Sequence, residues 1–307
     1  MKFFDMHADI GTDIFYSQHN IKETHLPKFE KGNIKGVFTA CFFDGHQDWQ
    51  EMQAMIKNCR EDILRNKDEL VFALDKNTLI ESDKPIFMIS CEGLCGLKQD
   101  PEGSVNFLYE NGVRVASLVW NEVNALASGW RNDPQYGVTD LGKQVIKELN
   151  KHSIIVDVSH INEKGFWDVL ETSERPIIAT HSNARRLCNH ERNLTDQQIK
   201  AIGAKGGVIG LNACGDFVDE DKTKQDCLHL ALHAKYMADL IGVNHIGCGF
   251  DFMDFLAGFQ DDEMLIDMNS CLETNNLVKA FKEVGFTDLE IEDICFNNVY
   301  NFVRNNI

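Results

Sequence analysis

Apolar residues along this chain gather in short, β-branched-rich runs rather than alternating one by one with polar residues. Eight runs stand out: "FFDMH" (3–7), "GVFTACFF" (36–43), "PIFMIS" (85–90), "VRVASLVW" (113–120), "SIIVDVS" (153–159), "PIIAT" (176–180), "GGVIGLN" (206–212) and "HIGCGFD" (245–251). Near-continuous hydrophobicity at this length is what parallel strands covered on both faces require.

Amphipathic stretches of helical length separate the runs. Residues 49–70 set Trp49, Met52, Ile56, Cys59, Ile63 and Leu70 near one helical face. The stretch 139–152 opens on Thr139 as an N-cap, and 195–205 pairs Thr195 with Gln198 as a capping box. The stretch 225–242 stops at Gly242, a usual helix end. Alternating strands and helices predict an all-parallel sheet of the α/β class. With eight runs, that sheet is expected to close as one (β/α)8 TIM barrel over residues 1–307. The glycine-rich turn of a dinucleotide-binding sheet is missing after the first run, which argues against an open doubly wound fold.

Composition narrows this further. A length of 307 residues suits a barrel, which typically takes about 250. With 30 Lys+Arg against 48 Asp+Glu the formal charge is −18, a field that repels phosphate backbones and argues against a nucleic-acid partner. No stretch approaches the ~20 apolar residues of a membrane span, and no secretory or lipid-anchor pattern is visible. Ten cysteines in that setting are expected to be thiols in a cytoplasmic protein.

The candidate chemistry sits where such barrels keep it, at the carboxyl ends of the strands. The first run ends in His7 and Asp9 ("MHAD"), two apart and so aimed to one side of a strand. Later runs end at Glu92, Trp120 with Asn121, His160, His181, Asn212 and Asp251. Three imidazoles with two or three carboxylates exceed the four ligands of a structural zinc. They suit two metals roughly 3.5–4 Å apart with open positions for water. In that arrangement His7 and Asp9 hold one metal, His160 and His181 the other, and Glu92 bridges. Asp251 is then the general base and acid for a hydroxide held between the metals, and the reaction class is metal-assisted hydrolysis of a polar carbonyl.

The motifs "DMHAD", "SCEG", "DVSH", "THSNARRLCNHERNLTD", "GGVIGLN" and "HIGCGFDF", in this order from 5 to 252, resemble the membrane (renal) dipeptidase family, peptidase family M19, of the amidohydrolase superfamily. The resemblance implies a zinc-dependent dipeptidase with two Zn2+ per chain and a small dipeptide as partner, L,D-dipeptides included. It maps metal ligands onto His7, Asp9, Glu92, His160 and His181, and the acid that handles the substrate amine onto Asp251. It maps the arginine that grips the substrate carboxylate onto Arg192, in "ERNLTD", and implies a homodimer as the common assembly.

Two departures stand out. Trp120 replaces a histidine that contacts the scissile carbonyl in better-known members, and an indole N–H donates one hydrogen bond without becoming a cation. Asn121 is then a candidate for that contact, and Trp120 is expected to narrow the pocket. Where the family usually reads D-F-D-G this chain reads "DFMD", so Asp251 and not Asp254 carries the expected role. Competing readings are another amidohydrolase activity on N-acyl amino acids, lactams or cyclic amides, and a non-catalytic metal-binding barrel. His229 and His233, four apart on one helix, are expected to pack rather than ligate. His190 is a candidate for the pocket wall, and the acidic stretch 260–267 is expected to be a solvated loop.

Overall fold

The computed structural model describes residues 1–79, 82–256 and 264–307, so residues 260–263 of the acidic stretch lie outside the described part. The strands are β1 (Phe3–Ala8), β2 (Ile34–Phe42), β3 (Val71–Phe72), β4 (Ile86–Glu92), β5 (Val113–Ser117), β6 (Ile155–Asp157), β7 (Ile177–Ile178), β8 (Ile209–Leu211) and β9 (Ile246–Cys248). All pair in parallel, in the order β7-β6-β5-β4-β2-β1-β9-β8. The two ends of that path meet in a bridge between Ala179 and Ile209, where Gly210 N donates to Ala179 O at 2.8 Å. The sheet is thus the expected (β/α)8 barrel, and each of the eight apolar runs supplies one of its staves.

The ninth strand, β3, lies in the apolar stretch "LVFAL" (70–74), which is not one of the eight runs. It is two residues long and pairs with the start of β4, below the point at which β5 joins. From β5 to β9 the strands are also shorter than their apolar runs. In β6 and β7 the reason is a buried side chain: Asp157 Oδ1 accepts from Ser159 N at 3.1 Å and Thr180 N at 2.9 Å, and its Oδ2 accepts from Thr180 Oγ1 at 2.7 Å. A carboxylate thus takes over from the ladder and steers both chains into the loops that carry His160 and His181.

Side chains one or two to a strand fill the barrel: Phe4, Met6, Phe38, Met88, Val115, Ile155 and Ile178, with Phe296 and Val299 packed against them. Higher up the same inward positions become polar, at Glu92, Asp157, Thr180 and Asn212. The layer between is tight. A Cβ on Gly249 or Gly210 would lie 1.8 or 2.0 Å from the Thr180 carbonyl oxygen, so only glycine lets these strands approach.

Around the barrel lie helices at the expected places, Trp49–Arg65, Asp140–Lys151, Asp196–Ala204 and Cys227–Ile241; the first ends five residues early, so Leu70 lies beyond it. Thr139 caps the second, and Thr195 with Gln198 forms the capping box of the third. All ten cysteines are buried free thiols. No helix among the described residues is long and apolar enough to cross a membrane.

His233 packs as expected, and its packing has a pH consequence. Its Nδ1 accepts from Ala184 N at 3.0 Å while Nε2–H donates to Val218 O at 2.8 Å, so both nitrogens serve only in the neutral ring. Burial pushes its pKa down from 6.5 to about 4. The unfolded chain therefore takes up this proton first as pH falls, and stability present above about pH 6.5 is lost down to about pH 4. The loss is on the order of 3 kcal/mol. Urea unfolding at neutral and acid pH, with chelator present throughout so that metal release plays no part, should show His233→Gln with a shallower acid loss than the parent.

Candidate metal centre and its pocket

The five expected ligands and Asp251 converge at the mouth of the barrel. The register of β1 against β2 slips between Asp5 and Ala8, a bulge that re-aims the strand end. Asp5 holds it there, since Oδ1 accepts from His7 N at 3.2 Å and from Phe250 N at 2.9 Å. His7 Nε2 then lies 3.6 Å from Asp9 Oδ2, 3.4 Å from Glu92 Oε2 and 3.7 Å from Asp251 Oδ1. The other Glu92 oxygen, Oε1, lies 2.6 Å from His160 Nε2 and 3.5 Å from His181 Nε2. Glu92 thus stands between the His7 side and the His160–His181 side.

This donor set fits a metal on observations of its own. His160 Nδ1 meets Asn121 Oδ1 at 2.9 Å, an acceptor only, so Nδ1 carries the proton and Nε2 the lone pair. His181 Nδ1 meets Thr180 Oγ1 at 2.7 Å, and that hydroxyl already donates to Asp157, so His181 Nε2 is also a lone pair. The two Nε2 atoms face each other at 2.8 Å. Two lone pairs at that distance repel unless a cation lies among them. In addition, His7 Nε2 and Asp9 Oδ1 are buried without a hydrogen-bond partner.

The electrostatics agree. Burial pushes Glu92 up to about 7, partly offset by His7, and it raises Asp251 above the usual carboxylate range. Burial opposes charge on His7, yet Glu92 and Asp9 beside it raise it well above its ordinary value. Burial and then Arg192 hold His160 well below the ordinary range; burial and then His7 do the same for His181. Two imidazoles held neutral and a crowd of carboxylates are what a divalent cation binds, and nitrogen and oxygen donors suit zinc.

Asp251 follows β9 by three residues and has φ +61°, the left-handed conformation, with Asn212 Nδ2 donating to its Oδ2 at 3.2 Å. Asp254 is elsewhere, paired with Lys28 at 2.7 Å. Arg192 is buried, with Nη2 3.2 Å from His160 Nε2 and 3.3 Å from His181 O, and Nη1 donating to Ser159 O.

All of these groups face or adjoin a cavity of about 210 Å³ lined by Asp9, Glu92, His160, Arg192 and Asp251, with an apolar wall that includes Phe42, Trp120, Trp130 and Phe217. Trp120 packs edge-on against Phe42 at 4.9 Å between ring centres and lies 6.1 Å from His160. His190 is not among the lining residues, but its ring supports two that are, Trp130 at 5.1 Å and Phe217 at 4.7 Å.

Asn121 lines the cavity too, but its amide oxygen is already committed. It accepts from His160 Nδ1 and, at 2.5 Å, from Trp130 Nε1. Asn121 is therefore a positioning residue that sets the His160 tautomer. Asn121→Ala should weaken metal binding by about 10- to 100-fold, and Asn121→Asp, which keeps the acceptor, should restore most of it. Competition with a chromophoric chelator reads this without an activity assay.

Asp5, Asp157 and Trp130 hold the candidate site in place, and the strand-end pattern does not single them out. "DMH" and "DVSH" carry a usable signal, an acid two or three residues before a candidate ligand. The bond from Asp5 to Phe250, across the length of the chain, has no local signature.

A closed parallel barrel with this cluster at the carboxyl ends of its strands defines a metal-dependent hydrolase. The model of the membrane dipeptidase family, peptidase family M19, matches residues 1–306. The chain belongs to that family, and it is a hydrolase of the metallodipeptidase type. A Klebsiella pneumoniae protein described as an uncharacterised protein in the pqqA 5′ region is 32% identical over 235 residues, 73% of this chain and 83% of its own. Dipeptidase tcpJ of Claviceps purpurea is 25% identical over 282 residues, 91% of this chain and 63% of its own. In fold, the chain is similar to a metallopeptidase from Rhodobacter sphaeroides solved with a phosphinate mimic of the dipeptide L-Ala-D-Ala. The TM-score is 0.86 at 21% identity, over 100% of this chain and 99% of that one.

Proposed function

We propose that this chain hydrolyses dipeptides with a free amine and a free carboxylate, L,D-dipeptides included, using two zinc ions. His7 and Asp9 would hold one ion, His160 and His181 the other, and Glu92 would lie between. The observation that carries this reading is the facing pair of imidazole lone pairs beside a carboxylate whose two oxygens serve both sides. Zinc supplies an activated water near neutral pH and polarises the scissile carbonyl when bound.

The chain's own residues do the rest. Arg192, at one side of the cavity, receives the substrate carboxylate, since a guanidinium fork matches it with two parallel bonds. Asp251, on the His7 side, orients the substrate amine. It also takes the proton of the attacking water at a carboxylate oxygen and returns it to the leaving nitrogen. The Asn212 bond leaves its other oxygen to do this. Phe42 and Trp120 exclude water from the wall, and Trp120 restricts the size of the residues accepted.

The test compares L-Ala-L-Ala with its carboxamide and with N-acetyl-L-Ala on zinc-loaded protein. The dipeptide should be the best substrate, and Arg192→Ala should lower its kcat/KM about a hundredfold while changing the amide far less. Equal loss on both would remove Arg192 from carboxylate binding. Faster turnover of N-acetyl-L-Ala would favour an N-acyl amino acid hydrolase instead.

A further inference from the structure

Among the described residues that line the cavity, Arg131 is the one charged group without a task in the reading above. It is exposed and follows Trp130 in the loop between β5 and the helix Asp140–Lys151. Its guanidinium lies over the Trp130 ring, 5.0 Å from the centre. Trp130 is a firm support: Nε1 donates to Asn121, its backbone N donates to His160 O at 3.0 Å, and His190 flanks its ring. Among the described residues Arg131 forms no ion pair. In a chain of 48 acids and 30 bases, a cation at a pocket mouth that pairs with no described acid is a candidate anion contact.

Its place relative to the substrate follows from the same bonds. Trp130 connects through Asn121 to His160, and Arg192 Nη2 lies 3.2 Å from His160 Nε2. Asp251 lies across the centre, beside His7. A dipeptide with its carboxylate on Arg192 and its amine toward Asp251 therefore turns its second residue to the Arg131 side. Resting on the dipeptidase reading, we propose that Arg131 selects dipeptides whose second residue carries an acidic side chain.

The experiment measures kcat/KM of zinc-loaded protein on L-Ala-L-Glu and the neutral isostere L-Ala-L-Gln, in the parent and in Arg131→Gln. The parent should favour L-Ala-L-Glu about fivefold, as suits a partly solvated charge pair. That ratio should fall to near one in Arg131→Gln, and it should shrink in the parent as salt rises to about 0.5 M. L-Glu-L-Ala against L-Gln-L-Ala should show no such preference. A ratio of one in the parent, or a ratio that survives Arg131→Gln, overturns the assignment while the dipeptidase reading stands. So does an equal fall for both substrates, since the guanidinium would then hold the main-chain carboxylate they share. Cleavage of neither substrate overturns both.

Discussion

Glu92→Gln should reduce bound metal below two per chain and lower kcat/KM on a dipeptide by about a thousandfold or more. The substitution keeps the shape of a buried side chain at the tip of β4 and removes only the charge. That charge is what serves both sides of the centre, since one oxygen faces His7 and the other faces His160 and His181. A neutral amide can satisfy at most one side with its oxygen, and it turns an N–H group toward the other. Elemental analysis after gel filtration reads the metals, and circular dichroism checks the fold. Full metal content with activity within about tenfold of the parent would contradict the bridging role.

Asp251→Asn should act differently, lowering kcat by about 100- to 10,000-fold with both metals retained. The choice of substitution matters because position 251 has φ +61°, which asparagine adopts nearly as readily as aspartate. Asp251→Ala would add backbone strain to the chemical loss. The amide introduced by Asp251→Asn would still meet Asn212 but could not take a proton from water. A kcat within about tenfold of the parent at full metal content would assign the proton transfer elsewhere.

How much of this the sequence disclosed depends on distance along the chain. Strand–helix alternation marks the eight staves, because each buried parallel strand writes its own apolar run. The candidate ligands are legible for the same reason: each ends a run or follows it by no more than two residues. "MHAD" reads as a strand pair on one face. The geometry is less regular, with a bulge in β1 and Asp9 already at a helix start, yet the two side chains still meet within 3.6 Å.

What the sequence hides depends on contacts between distant segments. Asp5 ties β1 to the start of the Asp251 loop, and Asp157 ties the His160 and His181 loops together. Asn121 is legible as a pocket residue but not as the acceptor for His160. Trp130 and Arg131 lie in an irregular loop where no periodicity says which way a side chain turns. Arg192 is visible only through resemblance to a family, since by itself it reads as a solvated charge before a helix cap.

Titrating zinc into metal-stripped protein while following L-Ala-L-Ala cleavage tests the two-metal dipeptidase reading most directly. Cleavage should be absent without metal and should rise to a level reached near two equivalents per chain. Cleavage by the stripped protein, or none at any zinc concentration in folded protein, would contradict that reading.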